Sequence, residues 1–254
     1  LGTGHFGTVS TAVHKTSGEV VAVKALPRGK APDDHVLQEI ETHREAGQHP
    51  NIIGLKGVYS DDHHYYMVMD LAPGGELYNH LTKEGMLGDR EVRFLMREIS
   101  GAVAHLHDKG IVHFDIKPEN ILLGSPDQVP CKEAGIGGGG ATSRPGGRAL
   151  KDYTAAYSAP EVISAGEVDQ KADVWSLGVI AYIMVKGTHP FDPTSKAGDE
   201  EIAANVRQAE PDWEGVEPRA ANLLRRMLAR NPADRPSARE VLESPWLRQI
   251  DQDP

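Results

Sequence analysis

Between two apolar runs, Ile111–Val112 and Ile121–Leu123, the chain carries Asp115, Lys117 and Asn120 within IVHFDIKPENILL. A loop held at both ends by strand-like sequence can aim three side chains at one point. An acid, an ammonium and an amide so aimed suit a proton acceptor, a phosphate contact and a metal ligand. A loop of this kind needs a core that fixes it and a second surface that faces it. With 254 residues, the chain is long enough for one large core or for two lobes that share a cleft.

The facing surface is sought in the first third. Leu1–Val9 reads LGTGHFGTV, with glycines at Gly2, Gly4 and Gly7. That spacing alone fits a dinucleotide site, a hairpin whose backbone approaches phosphates, or a glycine-rich turn with no ligand. A dinucleotide fingerprint opens a helix after its glycines. Here β-branched residues continue to Val13, Gly18 sits at a turn, and Val20–Val23 is a second apolar strand, so a hairpin is expected. Lys24 ends the run VAVK, either as a solvated charge or as an ammonium that points into the cleft beneath the glycines. A helix over Val36–Ala46 carries Glu39, suited to pair with Lys24, whereas Glu41 and Glu45 read as surface carboxylates. Tyr65–Leu71 is a buried-strand run broken by Pro73, Gly74 and Gly75, and sequence rich in strands gives way there to sequence rich in helices.

The supporting core is sought in the remainder. Asp89–Lys109 has apolar residues at Val92, Leu95, Met96, Ile99, Val103 and Leu106, with Asp89 as the expected N-cap and Gly110 as the stop. Asp173–Lys186 is apolar nearly all round and is expected to be buried. Leu223, Leu224, Met227 and Leu228 mark an amphipathic helix ended by Asn231 and Pro232, and Ser237–Glu240 reads as a capping box. Neither His63 with His64 nor His105 with His107 has the partners of a zinc site, which leaves surface or packing roles.

Six motifs in order, GTGHFG, VAVK, IVHFDIKPEN, SAPEV, DVWSLG and NPADRP, are similar to those of eukaryotic-type protein kinases. The resemblance covers nearly the whole chain. It implies a bilobal α+β fold over 1–254: a small antiparallel β lobe with one helix at 1–70, cut short at its N-terminus, a hinge at 71–75, and a larger helical lobe at 76–254. It implies an enzyme that uses ATP and magnesium, with manganese as the alternative ion. Asp115 would orient the attacking hydroxyl, Lys117 would contact the transferred phosphate, and Asn120 with Glu133 would hold the metal. Gly2, Gly4, Gly7, Val9, Ala22, Met69 and Leu122 would line the ATP site, where Lys24, held by Glu39, would bind phosphates. Asp173 would brace the catalytic loop, and Glu161 would pair with Arg235. Lys117–Glu119, with Thr154 ahead of SAPEV, resembles the serine/threonine class. HPNII, GGEL and THPF look most like the calcium/calmodulin-dependent group, in which positions such as Glu76 and Glu119 face basic residues of a protein substrate.

Three positions depart from the family. Phe114 stands where most kinases carry an arginine that pairs with a phosphorylated activation segment, so activity should depend less on such phosphorylation. Glu133-Ala134-Gly135 occupies the place of Asp-Phe-Gly, and IGGGGATSRPGG follows it. His43 sits where an apolar residue commonly packs. A degenerate kinase, a divergent active kinase and a local reading-frame error each account for the stretch from 124 to 150. The competing functional reading is a pseudokinase that binds nucleotide or scaffolds partners.

A formal charge of −10 argues against nucleic acid as the main partner, while acidic clefts attract basic peptides. The single cysteine, Cys131, excludes an intrachain disulfide and fits a reducing compartment, the cytosol or alternatively the nucleus. No run of roughly 18 apolar residues is long enough to span a bilayer. No leader-like start is present, and Leu1 already lies inside the glycine motif, as expected of a domain cut from a longer protein. No EF-hand loop or calmodulin-type helix lies within the chain, so calcium control is not implied, and oligomeric state is left open.

Overall fold

The computed structural model describes residues 2–4, 7–29, 33–124, 131–133 and 155–252. Thr154, Ala134, Gly135 and the glycine-rich stretch lie outside them.

The first part is a five-stranded antiparallel sheet with one helix. Its strands are β1 (Gly2–Gly4), β2 (Gly7–Val13), β3 (Val20–Pro27), β4 (Leu55–Ser60) and β5 (His64–Asp70), hydrogen-bonded in the order β1-β2-β3-β5-β4. The glycine motif therefore forms a hairpin, with Gly4 opposite Gly7, and does not open a helix. Helix α1 (Asp33–Ala46) follows β3 and starts three residues before the expected Val36. Val36, Ile40 and His43 recur at helical spacing and are buried, so α1 turns that face to the sheet, where Val36 and Ile40 pack on Leu26, Tyr65 and Met67. Glu39 lies beside Ile40 on the same side.

The second part contains α2 (Leu77–Glu84), α3 (Asp89–Asp108), a two-stranded ribbon of β6 (Ile121–Leu123) and β7 (Cys131–Glu133), α4 (Pro160–Ile163), α5 (Lys171–Lys186), α6 (Asp199–Gln208), α7 (Pro218–Met227) and α8 (Ala238–Leu242). Helix α5 is buried along almost its whole length, as its unbroken apolar character demands. One core cluster packs α3, α5, α7 and α8 together, and a second joins α5 to α4 and α6. Tyr157, Ile183 and Trp213 touch both. A smaller cluster, Ala46, Ile52, Ala102, Leu106 and Ile111, ties the end of α1 to α3 and the start of the polar loop. The two parts are thus joined by packing as well as by chain. Among the described residues, no helix is long and apolar enough to cross a membrane.

Two expectations are corrected. Gly88, not Asp89, occupies the N-cap of α3. The Asp89 carboxylate is taken instead by Trp246 Nε1 at 3.0 Å and by Arg93 at 3.0 Å. Helix α7 ends at Met227, with Leu228 as its C-cap, before Asn231 heads a separate short turn at Pro232–Asp234. The capping box at Ser237 and Glu240 forms as expected.

Candidate active site

The polar loop runs from Ile111 to a 3₁₀ turn at Pro118–Asn120, and its three polar residues meet at one carboxylate. Lys117 Nζ lies 3.0 Å from Asp115 Oδ2. Asn120 Nδ2 donates to the same oxygen at 3.0 Å and to the Asp115 carbonyl at 2.7 Å. Two donors on one oxygen fix the rotamer of the carboxylate. These bonds use Asp115 Oδ2 and Asn120 Nδ2, and make no use of Asp115 Oδ1 or Asn120 Oδ1.

The floor of the loop is a buried anion. Asp173, at the start of α5, is 0% exposed and accepts the backbone N–H groups of His113 at 2.9 Å and Phe114 at 2.8 Å. Both amides can point the same way because Phe114 is left-handed, with φ 63°. That backbone is costly for a bulky residue, on the order of 1–3 kcal/mol. A third donor, His107 Nε2 on α3, reaches Asp173 at 2.8 Å. Burial alone would raise the Asp173 pKa, but the His107 hydrogen bond and charge, with His113, hold it below the ordinary value. By sequence His107 reads as a surface or packing residue. Its spacing of four from Val103, on the apolar stripe, is the one local signal that it faces inward.

Across the cleft, Lys24 on β3 lies opposite Val9 on β2 and Met67 on β5. Its Nζ stands 2.7 Å from Glu39 Oε1, with only 14% and 16% of the two side chains exposed. Burial raises the Glu39 pKa, and the Lys24 charge opposes the rise. One turn further along α1, His43 Nε2 donates to the Ile53 carbonyl at 2.7 Å, while Nδ1 is buried without a partner. Burial and the nearby Lys24 charge lower the His43 pKa, so the ring is neutral.

The remaining residues of the expected ATP site lie on the sheet and on β6. Ala22 is buried and pairs in register with Met69. Gly7 sits so close to β3 that an added Cβ would lie 2.2 Å from the Ala25 carbonyl oxygen. Strand packing therefore requires glycine there whether or not a phosphate comes near. Leu122 forms a bridge to Glu76, and the segment after β5 is pinned to β6 by Gly74 N–H to Leu123 O at 3.0 Å and Leu123 N–H to Gly75 O at 2.8 Å. A Cβ on Gly74 would lie 2.0 Å from the Gly124 carbonyl oxygen, so glycine is obligatory at this crossing.

Glu119 follows Lys117 in the 3₁₀ turn, and its Oε2 is buried with no hydrogen-bond partner. Tyr157 lies near it, the pKa of its phenol raised by burial and, less, by the neighbouring Glu119. For the metal, β7 sets the backbone of Glu133 opposite Ile121, the residue after Asn120. Among the described residues, no group of three His, Cys, Asp or Glu side chains is arranged around a metal position. A carboxamide oxygen and a carboxylate are nevertheless the hard oxygen donors that a divalent ion prefers.

Away from the cleft, Arg235 and Glu161 form a bidentate pair, with Nη–O distances of 2.6 and 2.8 Å. The arginine side chain is fully buried and also donates to the carbonyls of Ala229, Lys171 and Arg230. All five of its N–H donors are thereby used.

A small β part with a buried lysine–glutamate pair, a helical part with an Asp-Lys-Asn loop braced from below, and a glycine crossing between them are the parts that phosphoryl-transfer sites use. The protein kinase domain model matches residues 1–247, and the chain belongs to that family, in its serine/threonine class. Ribosomal protein S6 kinase alpha-1 of Rattus norvegicus is 35% identical over 263 residues, covering 100% of this chain and 35% of that protein. Calcium-dependent protein kinase 25 of Arabidopsis thaliana is 35% identical over 259 residues, covering 98% and 49%. Serine/threonine-protein kinase PKZ1 of Phytophthora infestans is 32% identical over 277 residues, covering 97% and 69%. The chain thus spans between about a third and two thirds of the length of these relatives.

Proposed function

We propose that this domain transfers the γ-phosphoryl group of ATP to serine or threonine hydroxyls in protein segments with basic residues N-terminal to the acceptor. The observation that carries the proposal is the convergence of Lys117 and Asn120 on one oxygen of Asp115. Asp115 Oδ1 is then left to orient the acceptor hydroxyl. As its oxygen attacks the γ-phosphorus, the hydroxyl proton passes to Asp115, the bond to the β-phosphate oxygen breaks, and ADP leaves. Lys117 offsets charge on the transferred group, and Lys24, held by Glu39, binds the α- and β-phosphates. When bound, a magnesium or manganese ion would offset the charge that develops on the phosphates. Asn120 through Oδ1 and Glu133 through its carboxylate would hold it.

The basic preference is supported by Glu119. A carboxylate oxygen buried without a donor is costly, and a guanidinium or ammonium from a substrate would satisfy it. Glu76, bridged to Leu122 on the adjoining strand, would supply a second anion.

A second reading, a pseudokinase, is favoured by Glu133-Ala134 in place of Asp-Phe. Glutamate reaches one methylene further than aspartate, and misplacement by about 1 Å can cost roughly a hundredfold in rate. The two readings are separated by measuring ATP affinity and phosphoryl transfer together, with serine peptide libraries that carry arginine, acidic or proline determinants. The proposal expects transfer that favours arginine on the N-terminal side. An acidic or proline-directed preference would defeat the basic assignment, and ATP binding with no transfer to any peptide would establish the pseudokinase.

A further inference from the structure

The short turn at Ala155–Tyr157 lies beside the polar loop: Tyr157 packs against the core cluster that holds Ile116, and Phe114 and Tyr157 both pack against the cluster around Trp175. Glu119, on the same loop, is near enough to add to the effect of burial on the Tyr157 phenol. Two successive carbonyls of this turn are held from behind. Tyr157 O accepts from Ser176 Oγ on α5 at 2.8 Å, and Ala156 O accepts from His189 Nε2 at 2.8 Å. His189 belongs to the loop between α5 and α6, and its other nitrogen, Nδ1, accepts the Phe191 N–H at 3.1 Å. A ring that donates from Nε2 and accepts at Nδ1 is the neutral Nε2–H tautomer. Burial, which lowers the His189 pKa, agrees with that assignment. The ring is also boxed in by aromatics. It meets Tyr157 edge-on at 6.1 Å and Phe191 at 6.2 Å, and Phe191 in turn stacks on Trp175 at 5.4 Å. The imidazole therefore sets both the carbonyl before Tyr157 and one side of the Tyr157 ring.

We propose that His189 is a positioning residue for the peptide substrate, holding the Ala155–Tyr157 turn, and with it the Tyr157–Glu119 wall, in the geometry that receives a basic segment. The proposal rests on Glu119 being a peptide contact. His189 touches neither ATP nor the reacting atoms; it acts through the Ala156 carbonyl and the Tyr157 ring. Its side chain is suited to this because one rigid ring supplies a donor, an acceptor and an aromatic face at once.

The test is direct binding of a fluorescently labelled peptide, with arginines N-terminal to a single serine, to the parent, His189→Phe and His189→Gln. Phenylalanine keeps an aromatic ring and loses both polar contacts, whereas glutamine keeps a donor for the Ala156 carbonyl. His189→Phe should weaken peptide binding about five- to tenfold, because the turn is no longer held in its receiving geometry before the peptide arrives, and leave affinity for a fluorescent ATP analogue unchanged. His189→Gln should return peptide affinity to within about twofold of the parent. Unchanged peptide affinity in His189→Phe would overturn the proposal, as would equal losses of peptide and ATP affinity alongside a fallen Tm, or a glutamine variant no better than phenylalanine. A parent that binds the peptide but transfers no phosphate would refute the catalytic reading while leaving this comparison decisive. A parent that binds no basic peptide would overturn the role of His189 together with the wall it supports.

Discussion

Replacing Arg235 with alanine should be among the most destabilising single changes in this chain, although Arg235 lies outside the cleft. The guanidinium is fully buried, and Arg235→Ala removes both bonds to Glu161 and the donors to three backbone carbonyls. It also takes away the cation resting 5.0 Å from the Trp175 ring. The Glu161 carboxylate, 11% exposed, is then left without its counter-charge. Breaking one side of such a pair costs about 3–5 kcal/mol. For a chain of this size each kcal/mol moves Tm by ~2–4 °C, so the expected fall is roughly 6–20 °C. Urea denaturation at pH 7 gives the free energy, and a thermal scan gives the shift. Glu161→Gln should cost less, because an amide oxygen still accepts from the guanidinium. The folded fraction of Arg235→Ala, assayed well below its Tm, should keep the parent's ATP affinity. A stability loss under about 1 kcal/mol would refute the reasoning, because it would mean the pair is solvated or the site relaxes around the gap.

Three further outcomes follow from the geometry. The raised Glu39 pKa means that the native state holds this proton more tightly than the unfolded chain, so charging the group in place costs stability as pH rises through the raised value. Glu39→Gln should therefore lose less Tm than the parent between pH 4 and 7 while its ATP turnover falls by about tenfold or more, read by thermal scans and a steady-state assay. Gly74→Ala should cost about 1–3 kcal/mol and weaken ATP binding, because its Cβ meets the Gly124 carbonyl at 2.0 Å; unchanged ATP affinity by calorimetry would contradict it. Phe114 packs against the cluster around Trp175 and offers no cation to a phosphate. Phosphatase treatment should accordingly change the transfer rate by less than about twofold, and a large loss on dephosphorylation would count against this.

The parts of the site legible in the sequence were those whose chemistry and spacing sit in one local stretch. Asp115, Lys117 and Asn120 occupy six consecutive positions, and a short 3₁₀ turn brings them together. The Lys24–Glu39 pair was legible for a related reason, since a strand end and the next helix face each other across a short connection. Contacts between distant segments were not legible. His107 reads as one of several scattered histidines until α5, 66 residues away, brings Asp173 beneath it. Asp89 has the composition of an N-cap, yet Trp246, 157 residues further on, takes its carboxylate. Gly74 reads as a strand breaker, but what demands glycine is the Gly124 backbone crossing it. Gly7 likewise reads as a phosphate contact, whereas the nearest atom to its missing side chain is the Ala25 carbonyl. In each case the residue type signals that something is required there, and only the fold says what.

The central claim is that the loop carrying Asp115 performs phosphoryl transfer and that Glu133 limits its rate. The direct test is single-turnover transfer of labelled γ-phosphate to an arginine-bearing serine peptide by the parent, Asp115→Asn and Glu133→Asp, each at saturating ATP with magnesium or manganese. The account predicts measurable transfer in the parent, loss of about 10²-fold or more in Asp115→Asn with ATP affinity retained, and a gain of about tenfold or more in Glu133→Asp. Transfer that survives intact in Asp115→Asn would contradict it.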